Sequence, residues 1–291
     1  MSKVFDKTKY KSRIIDSLVE KNLRIFSAVC IEGPKWCGKT WTSSYHANSD
    51  FFVGDPSGNF SNRMLAETEP YTVLQGDKPR LIDEWQEVPT LWDAVRSFVD
   101  ESGEKGQIIL TGSSTPVSKG ILHSGTGRIR NIRMNTMSLY ESGDSDGLIS
   151  LKDLCENKFE PKLLEEAKLE RLAYLIVRGG WPGNIDASFD DCAELAIGYM
   201  ENIAKTDLKK LDRDIDYNEH KAKLILKSLA RNESTTVSNQ SILRDIVDND
   251  ADSISKNTLA KYLNAFDRMF LFNNQEPFSP NIRSSLRVKQ M

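Results

Sequence analysis

The sequence predicts an α/β protein, a parallel β-sheet with helices on both faces, followed by a helical region that ends in a winged helix-turn-helix. Three observations predict it. Short apolar runs alternate with helical spacing as far as about residue 134, the pattern of βαβ units. A glycine-rich turn joins the first of these runs to a helix. From Pro161 onward the strand-like runs give way to amphipathic helical patterns.

The first element is an amphipathic helix over Tyr10 to Leu23, with Ile14, Ile15, Leu18 and Val19 at helical spacing. Ser27-Ala28-Val29-Cys30-Ile31 is long enough for a buried strand and runs into the turn Gly33-Pro34. A helix follows from about Gly38. Asp50 to Asp55 reads as the second strand and Arg80 to Asp83 as the third. Pro89 to Val99 is a helix, with Pro near its start and Leu91, Trp92, Val95, Phe98 and Val99 as its apolar set. Gln107 to Leu110 is the fourth strand, and Arg128 to Met134 is a candidate fifth. The polar break Gly143 to Gly147 sits near the end of this pattern, and a domain boundary is expected at 142–160. Helices are expected over Lys162–Val177, Phe189–Leu211 and Tyr217–Ala230. The expected division is an α/β domain over 1–150, a helical region over 151–215 and a winged-helix region over 216–291.

The chain has 291 residues, 39 Lys and Arg against 42 Asp and Glu, and a formal net charge of −3. That balance excludes coating of nucleic acid by bulk positive charge; such a contact would need a local patch. No apolar run reaches the roughly 18 residues of a membrane span. The charged N-terminus lacks the apolar stretch of a signal peptide. The four cysteines, Cys30, Cys37, Cys155 and Cys192, form no CxxC pair, and His46, His123 and His220 complete no zinc spacing. The expected setting is a reducing cytoplasm.

Gly33-Pro34-Lys35-Trp36-Cys37-Gly38-Lys39-Thr40 fits the phosphate-loop pattern G-x-x-x-x-G-K-[ST] in the required place, after a strand and before a helix. Glycines let backbone N–H groups close around phosphate oxygens, and the helix N-terminus adds partial positive charge. Lys39 supplies a full charge to the β- and γ-phosphates, and the Thr40 hydroxyl is placed to ligate Mg²⁺. Asp83 and Glu84 end the third strand as adjacent carboxylates. Beside a phosphate loop, Asp83 would hold Mg²⁺ through its water shell, and Glu84 would orient and deprotonate the attacking water. The fourth strand runs into Thr111-Gly112-Ser113-Ser114, where Thr111 or Ser113 could touch the γ-phosphate or the water. The only approach to a guanine-reading N-K-x-D string, Asn157-Lys158-Phe159-Glu160, is misplaced and ends in Glu, so ATP is the expected nucleotide.

On GPKWCGKT, FFVGDP, RLIDEWQEVPTLWDAVR, ILTGSS, GRIRNIRMNTMSLYE and RGGWP, the chain resembles the AAA-type ATPases grouped as AAA_14 with a DUF4143 region. The resemblance implies an AAA+-like P-loop NTPase sheet with the phosphate-loop strand central, ATP and Mg²⁺ as ligands, and the Thr111–Ser113 turn as first sensor. The expected nucleotide contacts are the run from Gly33 to Thr40, with Trp41 beside it and Ser113 from the strand end. Trp41 stands where the family often has a second Thr. Family members carry Gly-Arg before the fifth strand, here Gly127-Arg128; Arg128 could serve as an arginine finger in its own chain or a neighbour's, with Arg130 and Arg133 as rivals. Arg178 in Arg178-Gly179-Gly180-Trp181-Pro182 either senses nucleotide or belongs to a tight turn with a packed Trp. The family's nuclease-like C-terminal module is expected to be missing or cut short, so nuclease activity is not carried over.

Ser241–Val247 and Leu259–Met269, the latter opened by the N-cap Ser255, then Phe270-Leu271-Phe272 as a strand, give the order of a winged helix-turn-helix. Lys256, Asn257 and Lys261 would lie near the exposed start of its second helix. Asp245, Asp248, Asp250 and Asp252 oppose DNA phosphate, and winged helices also pack against proteins. The reading is an ATPase that couples nucleotide state to these helices. The alternative is a nucleotide-gated protein- or DNA-interaction module with little or no hydrolysis. A phosphotransferase is weaker, since no motif marks an acceptor pocket. The candidate partners besides ATP are a protein client, further copies of the chain and DNA.

Overall fold

A computed structural model describes residues 6–115, 121–161, 168–211 and 215–275. The chain divides into two compact units, Met1–Ser113 with Ser118–Ala196, and Ser114–Val117 with Ile197–Met291.

The first unit contains α1 (Asp16–Ile25), β1 (Ala28–Glu32), α2 (Lys39–His46), β2 (Ser49–Phe52), α3 (Ser57–Thr68), α4 (Pro70–Val73), β3 (Arg80–Asp83), α5 (Leu91–Ser102), β4 (Ile108–Gly112), β5 (Ile129–Arg133), α6 (Leu151–Cys155) and α7 (Leu169–Arg178). The five strands form one sheet in the order β2-β3-β4-β1-β5. Every pairing is parallel. Their side chains alternate between two apolar layers, as a period of two requires. Ala28, Cys30, Ile82, Ile108, Leu110 and Ile129 face a core with Leu74, Leu91, Trp92, Val95 and Val99. Val29, Ile31, Leu81, Ile109 and Ile132 face the other, with Val19, Cys37 and Met134. Burial on both faces explains why β1 and β4 read as continuous apolar runs.

The sheet order has a direct consequence for chemistry. β4 lies between β1 and β3, with Thr111 opposite Ile31 and Leu110 opposite Ile82. All strands run the same way, so the loop after β1, the acids ending β3 and the hydroxyls ending β4 emerge at one edge.

By contact the two units divide between Ala196 and Ile197, within the expected helical region. Arg178 at the end of α7 donates to Asp144 Oδ2 at 2.6 Å, and Met137 N–H donates to Gly180 O at 2.7 Å. These bonds tie the first helix of the expected helical region to the segment after β5. Of the helix expected over Lys162–Val177, residues 162–167 lie outside the described residues. α3 and α4 had no counterpart in the sequence reading.

α8 (Phe189–Asn202) spans the division and continues through one π-helical turn, Ile203–Asp207, into α9 (Leu208–Leu211). The second unit then holds α10 (Glu219–Arg231), α11 (Asn239–Asp250) and α12 (Lys256–Arg268). Each of these three has a side-chain N-cap: Asn218 to Lys221 N, Ser238 to Ser241 N, and Ser255, as expected, to Thr258 N at 3.1 Å. Their apolar faces enclose Ala222, Ile225, Ile242, Ile246, Leu259, Tyr262 and Phe266. The strand expected at Phe270–Phe272 does not form. Phe270 adopts a left-handed conformation (φ 59°), and Leu271 N–H returns to Phe266 O at 3.0 Å, closing α12 with a left-handed cap instead. Among the described residues the regular elements of this unit are helices, with one β-bridge at Gln275, and the wing of a winged helix-turn-helix is not shown among them.

Candidate phosphate-binding site

The run from Gly33 to Lys39 connects the buried strand β1 to the first turn of α2. Two glycines meet steric demands. A Cβ on Gly33 would lie 2.1 Å from Met134 O, and Gly38 has φ +101°, a conformation that disfavours any other residue. Lys39 opens α2 and is 5% exposed. Its Nζ donates to Gly33 O at 2.9 Å and Pro34 O at 2.8 Å, which holds the ammonium across the mouth of its own loop. Lys35, Trp36 and Trp41 lie on the exposed side of the loop and helix.

Asp83 is the centre of the site. Its Oδ1 accepts from Thr40 Oγ1 at 2.9 Å and from Thr111 Oγ1 at 2.7 Å. One carboxylate oxygen therefore ties the phosphate-loop helix, β3 and β4 together. Burial pushes the Asp83 carboxyl up, and neighbouring Glu84 adds to this; the two hydroxyl bonds and Lys39 pull the other way. Glu84 follows in a left-handed conformation (φ 58°, ψ 48°), with its N–H donating to Thr111 Oγ1 at 2.9 Å. Its Oε2 accepts from Ser113 Oγ at 2.9 Å. The structure thus brings together Lys39, Thr40, Asp83, Glu84, Thr111 and Ser113, and gives Thr111 and Ser113 separate tasks. Thr111 locks the backbone of the acidic pair, and Ser113 holds the Glu84 side chain.

The Asp83 charge state has a measurable consequence. A folded-state pKa raised above the unfolded value means that the native chain binds more protons, so stability falls as pH rises through that window. Asp83→Asn keeps an oxygen for both threonines and removes the buried charge. Without nucleotide or metal, this protein is expected to melt at a higher temperature than wild type at neutral pH. The gap should close in acid, as followed by thermal denaturation across a pH series.

Arg128 is a correction. It precedes β5, and β1 pairs with β5 so that Ala28 stands opposite Ile129. Arg128 is therefore at the amino end of the strands, away from the loop that follows the carboxyl end of β1. There it pairs with Asp100 at 2.7 Å on the exposed surface. Its rival Arg133 is at the other end, opposite Glu32, and its charge counteracts the upward push of burial on the Glu32 carboxyl. Arg178 is 2% exposed and is held by Asp144 and by Ser142 Oγ at 3.1 Å. These bonds tie it to the segment Ser142 to Asp144.

Sequence reading missed Arg13. Its guanidinium donates to Cys37 O at 2.7 Å, to Asn135 O at 2.9 Å and to Glu141 Oε1 at 2.9 Å. It clamps the phosphate loop to the segment after β5. No local pattern marks it, because its partners are 24 to 128 positions away. Gln86 was also missed; its amide donates to Glu84 Oε2 and to Ser113 Oγ.

Among the described residues no group of three or more His, Cys, Asp or Glu side chains forms a separate metal centre. Thr40 and Asp83 offer a hydroxyl and a carboxylate, the hard oxygen donors that suit Mg²⁺. No helix of the described residues is long and apolar enough to cross a membrane.

Residues 26–143 match the family model of an AAA domain, AAA_14. Residues 169–291 match a domain of unknown function, DUF8612, in place of the expected DUF4143. No curated protein matches the chain. Among solved structures, a Walker-type ATPase of Pyrococcus abyssi is similar at TM-score 0.52 and 14% identity, over 91% of each chain. The AMPPCP-bound DnaA of Aquifex aeolicus gives TM-score 0.40 and 12% identity, over 91% of this chain and 92% of that one. The sheet order, the loop geometry and the match over 26–143 together give the first unit an AAA-type P-loop fold.

Proposed function

We propose that the protein is an ATPase that hydrolyses ATP to ADP and phosphate with Mg²⁺ and couples its nucleotide state to the C-terminal helices. The observation that carries this reading is the convergence of Thr40 and Thr111 on Asp83 Oδ1, with Glu84 next in the chain. The loop amides and the α2 N-terminus would hold the β- and γ-phosphates, with Lys39 exchanging its two loop carbonyls for phosphate oxygens. Thr40 and Asp83 would hold Mg²⁺, which when bound neutralises charge on the phosphates. Glu84 would take a proton from the water that attacks the γ-phosphorus as the bond to the bridging oxygen breaks. Arg128 would act as a finger only toward a neighbouring copy, given its place at the far end of the sheet. The test is phosphate release from ATP by the intact chain, with and without Mg²⁺. Release that requires Mg²⁺ supports the reading; ATP binding without release supports the alternative.

One observation favours that alternative, a nucleotide-gated interaction module. Three of the four acids set against DNA have basic partners: Arg231 pairs with Asp245 and Asp250, each at 2.7 Å, and His220 with Asp252 at 3.0 Å. Lys256, Asn257 and Lys261 are exposed on α12. Retention on duplex DNA that weakens steeply with salt would support this reading, and a flat salt response would count against it.

A further inference from the structure

Gln86 belongs to the single turn Trp85–Glu87 that follows Glu84. Trp85 is buried and packs on Trp92 at 4.8 Å between ring centroids. This anchor fixes the turn and brings the Gln86 side chain back over the strand ends. The Gln86 amide nitrogen donates to Glu84 Oε2 and lies 3.2 Å from Ser113 Oγ. Ser113 Oγ itself donates to the same Oε2. Glu84, Gln86 and Ser113 thus form a closed three-membered ring.

Two features show that this ring is held against a cost. Glu84 is a non-glycine residue in the left-handed region, a conformation that is retained when surrounding structure over-determines it. Gln86 Oε1 is a buried acceptor without a donor among the described residues. Flipping the amide would not relieve it, because Oε1 would then face the Glu84 carboxylate, which has only acceptors. The nitrogen therefore faces Glu84, and the oxygen meets no donor among the described residues. Costs of this kind concentrate where geometry serves chemistry.

We infer that Gln86 is the positioning residue of the hydrolytic site. By occupying Glu84 Oε2 together with Ser113, it fixes the rotation of the carboxylate and leaves Oε1 as the edge that receives the proton of the attacking water. This rests on the ATPase reading and names a residue that reading does not require. Gln86 acts through Glu84 and takes no proton itself.

The test compares phosphate release by the intact chain, Gln86→Ala, Gln86→Glu, Glu84→Gln and the double variant Glu84→Gln with Gln86→Ala. Misplacing a reacting group by about 1 Å can cost on the order of 10²-fold. Gln86→Ala should lower kcat by about 10- to 100-fold, while KM and ATP affinity stay within about twofold. Gln86→Glu keeps the size but puts a second carboxylate against Glu84, so it should lose at least as much. In the Glu84→Gln background, Gln86→Ala should cause almost no further loss, because the group it positions no longer accepts a proton. An unchanged or increased kcat in Gln86→Ala overturns the inference. So does a matching loss of ATP affinity, or a full additional loss in the double variant. A wild-type chain that binds ATP and releases no phosphate overturns the ATPase reading, and the inference with it; normal wild-type turnover with an unaffected Gln86→Ala overturns the inference alone.

Discussion

The Glu84→Gln protein is expected to bind Mg²⁺ and ATP as tightly as the wild-type chain and to release phosphate about 10²–10⁴-fold more slowly, the usual range for loss of a general base. The substitution preserves shape. A Gln side chain at 84 can still accept from Ser113 Oγ, which holds the Glu84 carboxylate at 2.9 Å. The backbone N–H bond to Thr111 Oγ1 is untouched. What disappears is the ability to take a proton. Single-turnover phosphate release beside an equilibrium titration with ATP separates the two effects. A loss of affinity equal to the loss of rate would move Glu84 from chemistry to binding.

Arg13→Ala is expected to have the largest effect on stability. Arg13 and Glu141 form a buried ion pair, with side chains 5% and 7% exposed. Removing one partner of such a pair costs about 3–5 kcal/mol, because the other charge stays buried. Glu141 retains N–H bonds from Ile14 and Ser138, so the expected loss is at the lower end, about 3 kcal/mol. Burial pushes the Glu141 carboxyl up, but those N–H groups and Arg13 bring it below the usual carboxylate range. A lowered folded-state pKa gives stability that is present above the unfolded value and lost as pH falls through the folded one. The deficit of Arg13→Ala is therefore largest at neutral pH and narrows in acid, as urea denaturation at two pH values would show. Loss of the bond to Cys37 O also loosens the phosphate loop, so ATP affinity should fall as well. Arg13→Lys keeps the charge without the three-pronged fork and should fall between the two.

The parts of the site that were legible in the sequence are those encoded locally. The run Gly33 to Thr40 is contiguous and its spacing is its own signature. Asp83 and Glu84 were legible as two acids at a strand end, a pattern that gains meaning only beside that loop. The distinction between Thr111 and Ser113 was not legible, since it depends on which hydroxyl meets Asp83 and which meets Glu84 across neighbouring strands. Of the two settings open to Arg128, its own chain or a neighbour's, the strand's direction decides against the first. In a parallel pair, the residue before β5 sits beside the start of β1, opposite its loop. That signal was available. Arg13 had none, because its partners come together only when the sheet folds. The strand expected at Phe270–Phe272 failed for a local reason: an apolar triplet after a helix serves equally as the left-handed cap and core plug that the structure shows.

All of the chemistry rests on Lys39 and the loop around it gripping a triphosphate. The most direct measurement is calorimetric titration of ATP with Mg²⁺ into the intact chain and into Lys39→Ala. The account predicts saturable binding by the wild-type chain, weakened about 10- to 100-fold in the variant, the range expected for losing a hydrogen bond to a charged group worth about 1.5–3 kcal/mol. Equal affinity in the two proteins would contradict it.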